Sequence, residues 1–161
     1  MLNNITNYQH RTDFLRIVDE IRTALGYALR NDEPDHGDEL AMEMHYGEFK
    51  FALVHSLSNA PDRILIECCF GPLPEARQEK IMFNLLNMNC MLSEIDGSAF
   101  SLDPETNEVI YTLAMDIFGQ SGSNMLSKMT EIVWHGRRWL ETRFISEQQE
   151  SSVAVDPIAL A

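Results

Sequence analysis

The apolar positions change their spacing along the chain, and each change predicts a new element. From Asp13 to about Arg30, apolar residues recur at intervals of three and four, which is typical of one face of a helix. Between residues 40 and 70 they alternate with polar residues in three short runs. The runs are separated by turn residues at 46–48 and 58–61. This part of the chain therefore predicts three antiparallel strands joined as a meander.

The period then returns to that of a helix. Proline is well tolerated at the first helical position, so Pro74 is predicted to begin a second helix, which ends at Asp96-Gly97. Its apolar residues form more than one stripe, more than a single sheet face is expected to cover. The favoured interpretation is a homodimer seam made by two copies of this helix, and the alternative is a helix sandwiched in its own core. The predicted dimer-interface residues are Ile81, Leu85, Met88 and Leu92.

The last elements complete one domain. Two strands are predicted over Ser98–Asp103 and Glu108–Ile117, followed by a long helix capped by Ser123 or Asn124. The fold class is α+β in the order α-β-β-β-α-β-β-α, with helices packed on an antiparallel twisted sheet. We expect a single domain over residues 1–147 and a flexible tail over 148–161, where no partner pattern continues.

Charge narrows the possible partners. The chain of 161 residues has 12 basic against 25 acidic residues, a net charge of −13, which repels nucleic acids and anionic membrane surfaces. The N-terminus has no basic segment followed by an apolar one, and no apolar run is long enough to cross a bilayer. We therefore expect neither nucleic-acid binding nor membrane insertion, but a soluble cytoplasmic protein.

Motifs for catalysis or metal binding are absent. Cys68, Cys69 and Cys90 form no C-x-x-C pair, and no phosphate-binding glycine loop or nucleophile motif occurs. His45 and His55 lie on neighbouring predicted strands, but two histidines without a third ligand do not predict a zinc site. We assign no catalytic residue, metal or cofactor. A small-ligand cleft remains as an alternative function, with lining residues His45, His55, Trp134 or His135.

The element order, acidity and size resemble the Tir-chaperone family, the class I effector chaperones of bacterial type III secretion systems. The likeness covers residues from about 8 to 145. Residues 69–74 (CFGPLP) resemble the family's strand that ends in a Gly and a Leu-Pro before the second helix. Residues 85–89 (LLNMN) resemble its Leu-Leu-x-x-Asn segment, and residues 97–102 resemble the strand that follows.

The resemblance implies a homodimeric bacterial chaperone without enzymatic activity. It would hold the N-terminal region of an effector extended in the cytoplasm, with the secretion ATPase as a further partner during delivery. Effector contacts would lie on the first helix and the first three strands. The candidate effector-binding residues are Phe14, Leu15, Val18, Leu40, Met42, Met44, Phe51 and Leu53. A regulatory module that binds a folded partner with the same fold remains a further alternative.

Overall fold

The computed structural model describes residues 2–28 and 37–144, with the side chains of the first helix described from residue 8 onward. The predicted end of the first helix near Arg30, most of the acidic segment 31–39 and the predicted tail at 148–161 lie outside the described residues.

Three helices and five strands make up the described part of the chain, and the predicted α+β class and element order are confirmed. The helices are α1 (Leu2–Ala24), α2 (Gln78–Ile95) and α3 (Gly122–Thr142). The strands are β1 (Glu39–Tyr46), β2 (Phe49–Ser56), β3 (Ala60–Pro72), β4 (Ala99–Leu102) and β5 (Glu108–Asp116).

The strands form one antiparallel sheet in the order β1-β2-β3-β5-β4. Alternate side chains of each strand join a single apolar core with residues of all three helices, so the helices pack on one face of the sheet. Phe51 and Leu53 on β2 and Ile64 and Ile66 on β3 are fully buried in this core. The opposite face carries the polar members of the alternation, including Lys50.

The first helix departs from its prediction at both ends. It begins at Leu2, well before Asp13, and ends at Ala24. Gly26 has a φ of +76°, and the amides of Gly26 and Tyr27 donate to the carbonyls of Thr23 and Arg22. This is a Schellman motif, in which a left-handed glycine satisfies the last carbonyls and turns the chain away from the helix axis. Gly26 therefore ends the helix, although the helical spacing of apolar residues continues beyond it.

The other two helix starts also differ from the predictions. Pro74 lies four residues before α2, which begins at Gln78 after Arg77 in a left-handed conformation with φ 61°. The cap of α3 is Ser121, whose side chain accepts a hydrogen bond from the amide of Asn124, whereas Ser123 or Asn124 was predicted. The segment contains several residue types that favour N-caps, so composition alone does not select among them.

Glycine allows α3 to approach its neighbours closely. A Cβ at Gly136 would lie 2.6 Å from the ring of Phe49. A Cβ at Gly122 would lie 2.5 Å from the Cβ of Glu20. The amide of Gly122 also donates to the Glu20 carboxylate over 2.6 Å, which joins the start of α3 to α1. These contacts fix α3 across β2 and α1, so the sheet face beneath both helices is filled.

Candidate interaction surfaces

Helix α2 carries an apolar surface that the protomer leaves uncovered. Phe83 is 63% exposed, Leu86 65% and Ile95 76%, with Met82 and Met91 also exposed. A pocket of about 200 Å³ lies between α2 and β4 and is lined by Met82, Leu85, Leu86, Asn89, Phe100, Ser101 and Leu102. By helical spacing, Met82, Phe83 and Leu86 share the side of α2 next to this pocket, whereas Ile95 lies half a turn around the helix from Leu86. An exposed apolar side of this kind is typical of a protein-binding site.

The predicted seam residues lie on the neighbouring side of the same helix, which faces the core. Ile81 is 1% exposed and Leu85 is 6% exposed, so both pack into the protomer's own core. Met88 and Leu92 are partly buried against that core. Their part in a dimer therefore stays a prediction, and the free apolar area belongs to the adjacent stripe. The sequence already indicated this free apolar area, because α2 is apolar on more than one side.

One residue of α2 pairs with the main chain of β4. The side-chain amide of Asn89 donates to the carbonyl of Phe100 over 2.9 Å, and its oxygen accepts from the Phe100 amide over 2.7 Å. Phe100 lies on the edge strand β4, so Asn89 occupies hydrogen-bonding groups that an added strand would need. This edge of the sheet is closed at its centre.

The predicted effector-binding residues fall into two groups. Phe14, Val18, Met44, Phe51 and Leu53 are buried in the protomer's core, where they pack the sheet against the helices. Leu15, Leu40 and Met42 are only partly buried beside that core. The structure contains no partner chain, so the role of all eight residues stays a prediction. The partly buried group is the one that a partner can reach without unfolding the protomer.

The opposite edge of the sheet is formed by β1, and no described strand pairs with its outer side. Tyr46 and Phe49 face each other across a two-residue turn, which makes them a hydrogen-bonded pair. By the alternation of an antiparallel ladder, the main-chain groups of Ala41, Glu43 and His45 point away from β2. The Tyr27 hydroxyl donates to the His45 carbonyl over 3.3 Å, in agreement with this direction.

A buried polar cluster joins α1 to the first three strands. Arg11 Nε donates to His55 Nδ1 over 3.0 Å, and Arg11 Nη2 donates to the Asp38 carbonyl over 2.7 Å. His55 Nε2 lies 2.9 Å from the carbonyl oxygen of Pro61. The ring of Phe14 stacks on His55 with centroids 5.3 Å apart. Burial lowers the pKa of His55 from its ordinary value, and the nearby Arg11 charge acts in the same direction.

The residues considered for a ligand cleft do not converge. His45 is exposed on the sheet face away from the helices, whereas His55 is buried in the cluster with Arg11. Trp134 is 55% exposed on the outer side of α3, with the Arg138 guanidinium 5.1 Å from its ring centroid. His135 stacks on Tyr111, 6.2 Å away. The rings of Trp134 and His135 are neighbours with centroids 5.1 Å apart, so the four residues lie in three separate places.

Two of the three cysteines lie on β3 and have thiols of raised pKa. Burial raises the pKa of the thiols of both Cys68 and Cys69, so neither is activated as a thiolate. Among residues 2–28 and 37–144, no group of three metal-ligating side chains converges. None of the helices in this part of the chain combines the length and apolarity needed to cross a bilayer.

Comparison with protein families decides the affiliation of the chain. The model of the Tir chaperone protein (CesT) family matches residues 34–139. This segment covers most of the chain, from before β1 into α3. The chain belongs to the Tir chaperone family. The resemblance expected from residues 69–74 and 85–89 is thereby confirmed. Comparison with curated proteins gives no significant match.

Solved structures share the Tir chaperone fold of this chain. A chain of the ExsC–ExsE complex superposes with a TM-score of 0.60 at 16% identity, covering 78% of this chain and 89% of that chain. A chain of the HopA1–SchA chaperone–effector complex gives 0.55 at 18% identity, with coverages of 86% and 98%. A chain of the complex of the Yersinia pestis type III secretion chaperone SycH with a YscM2 fragment gives 0.56 at 17% identity, with coverages of 76% and 96%.

Proposed function

We propose that this Tir chaperone family member is a type III secretion chaperone, which binds the N-terminal region of a secreted effector and keeps it soluble and partly unfolded until delivery. The observation that carries the proposal is the family match over residues 34–139. The fold likeness to chains from chaperone–effector complexes is consistent with it. A non-enzymatic role agrees with the thiols of raised pKa and with the dispersed histidines.

The working unit in this proposal is a homodimer joined through α2. Exposed Met82, Phe83 and Leu86 support it, because a protomer alone would leave their apolar area in water. A two-fold contact uses the same patch on both copies, so a single helix surface is sufficient. Ile81 and Leu85 support this surface from beneath, and Met88 and Leu92 lie at its margin.

The effector segment in this proposal lies along β1. An extended chain can add to the outer edge of this strand through the main-chain groups of Ala41 and Glu43. Its apolar side chains would then contact the partly buried Leu40 and Met42, and Leu15 on α1. Main-chain pairing makes the contact tolerant of sequence, whereas the apolar contacts select where on the client it forms. A segment that orders on binding must contact a large area, typically ~1,000–3,000 Å².

The charge of the chain supports the same role. A net charge of −13 keeps a complex with an unfolded client soluble through repulsion between complexes. We place the protein in the bacterial cytoplasm, where clients are made, and propose the secretion ATPase as the partner that receives the loaded complex.

The test is affinity capture of the full chain from the native bacterium, followed by mass spectrometry and light scattering. The expected result is two copies of the chain with one secreted protein, and loss of that complex when the first part of the client is deleted. Limited proteolysis is expected to cleave the client outside the bound segment. A monomer without a protein partner would refute the proposal. A folded, protease-resistant partner would instead support the regulatory module.

A further inference from the structure

The cluster around His55 joins segments that are far apart in the sequence. Arg11 lies in the first half of α1, Asp38 directly precedes β1, His55 lies on β2, and Pro61 lies at the start of β3. Arg11 and His55 are both buried, so water does not substitute for these bonds without a structural change. The fully buried apolar residues of α1, namely Phe14, Ile17, Val18 and Ile21, all follow Arg11 in the sequence. Arg11 is thus an anchor near the N-terminal end of the buried part of the helix.

The hydrogen bonds specify the protonation state of His55. Arginine has donors only, so Nδ1 of His55 must accept from Arg11 Nε. The carbonyl of Pro61 has acceptors only, so Nε2 must carry the proton and donate. This arrangement exists only for the neutral ring with hydrogen on Nε2. A second proton on Nδ1 would place an N–H against the N–H of Arg11 and two positive charges at hydrogen-bond distance.

We propose that the Arg11–His55 pair is an acid-sensitive latch: protonation of His55 breaks the pair and releases the first half of α1 from the sheet. The latch is a property of the folded protomer and does not depend on the proposed function. Histidine is suited to it because its ordinary pKa of about 6.5 lies within the pH range of cells. Phe14 marks the expected limit of the opening, because its ring is fully buried and stacks on His55.

The surrounding charges favour opening in acid. Among the described residues, the titratable groups that act on His55 are Arg11 and His10 on α1 and Asp38 before β1. His10 is buried, and it acts on the pKa of His55 in the same direction as Arg11. The Asp38 carboxylate opposes these charges, but Ser56 and Ser58 already donate to it. The net effect of burial and of these neighbours is a pKa of His55 below its ordinary value.

The direction of the pH effect follows from linkage. The open or unfolded state binds a proton at His55 below a pH of about 6.5, whereas the closed state does so only at lower pH. The ratio of closed to open protein is therefore constant above that pH and falls as the pH decreases. Between pH 7.5 and 5.5 the decrease from this one group is at most about tenfold, which is reached when the closed state takes up no proton at His55.

The test is amide hydrogen exchange of the full chain at pH 7.5 and 5.5, expressed as protection factors so that the intrinsic pH dependence cancels. Amides of Arg11–Phe14 are expected to lose more protection than those of Met125–Val133 in α3, by up to about tenfold. Burial also lowers the pKa of His135, which lies within α3, and the reference amides report that contribution. The variant His55→Gln keeps an acceptor and a donor without titrating, and His45→Gln changes an exposed histidine as the matched control.

The latch requires that His55→Gln removes the extra loss of protection and that His45→Gln retains it. Equal loss of protection in α1 and α3, or the same α1 opening in His55→Gln, overturns it. Ring titration of the wild-type chain by NMR keeps the proposal testable if His55→Gln does not fold. In that measurement His55 must titrate below its ordinary pKa and start as the Nε2–H tautomer. Titration at or above about 6.5 would overturn the latch.

Discussion

Replacing Leu86 by Asp tests the α2 seam without disturbing the protomer. Full burial of a leucine contributes about 1.5–3 kcal/mol, and the 65% of Leu86 that is exposed leaves about 1–2 kcal/mol per copy for a partner to bury. Two copies give about 2–4 kcal/mol, so the dimer should dissociate roughly 30- to 1,000-fold more readily. Sedimentation equilibrium over a concentration series measures this change. Ser127→Asp, on the exposed side of α3, adds the same charge elsewhere and should leave the dimer unchanged.

The neighbouring position separates the seam from the core. Leu85 is 6% exposed, so Leu85→Asp should destabilise the protomer itself by at least about 3 kcal/mol, as measured by urea unfolding. Leu86→Asp should unfold at nearly the wild-type urea concentration once dissociation is taken into account. A Leu86→Asp protein that sediments as two chains at the wild-type concentrations would refute the assignment of this surface. A Leu85→Asp protein of unchanged stability would refute the burial argument.

Three further predictions concern Gly136, Ala41 and Asn89, each with a second variant for comparison. Gly136→Ala should lower the free energy of unfolding by about 1–2 kcal/mol despite the better helix propensity of alanine, because the new methyl meets the Phe49 ring. In a Phe49→Leu background, which removes that ring, urea unfolding should show a much smaller loss from Gly136→Ala. Ala41→Pro removes only an amide that points away from β2, so circular dichroism should show a folded protein, but the variant should no longer capture the client. Met42→Pro is the comparison, because it removes a hydrogen bond between β1 and β2 and should unfold the chain. Asn89→Ala should cost about 1–3 kcal/mol in thermal unfolding. Asn89→Asp still accepts from the Phe100 amide but places a carboxylate oxygen against the Phe100 carbonyl, so it should cost at least as much.

The strands were predictable because apolar and polar residues alternate along them, and the apolar members of this alternation are the ones buried in the core. Phe51 and Leu53 alternate with Lys50 and Ala52, and the former two fill the core while Lys50 is exposed. The meander and the final hairpin follow from short turns, which allow only antiparallel neighbours. The helix ends were less predictable. Gly26 stops α1 through its left-handed conformation, although Leu25 and later apolar residues continue the helical spacing.

The surfaces were predicted only in part, because periodicity identifies an apolar stripe without saying what covers it. Two apolar stripes of α2 could pack on the sheet, and in the structure the stripe with Ile81 and Leu85 is the one that is buried. This leaves Leu86 and Phe83 exposed, and no local pattern distinguishes the two outcomes. The Arg11–His55 pair joins residues 44 positions apart and has no sequence motif, so only the folded chain reveals it.

The pairing of Asn89 with β4 has a consequence for polymerisation. A sheet with two open edges can join copies head to tail, with β4 of one copy against β1 of the next, and such a contact repeats into fibres because it does not close. Here β4 is only four residues long, and Asn89 holds both main-chain groups of Phe100 at its centre. Growth from β4 is therefore interrupted, whereas β1 remains able to accept one strand. A protein that keeps an exposed edge at cellular concentration needs such an asymmetry, since one terminated edge converts an endless array into a finite complex.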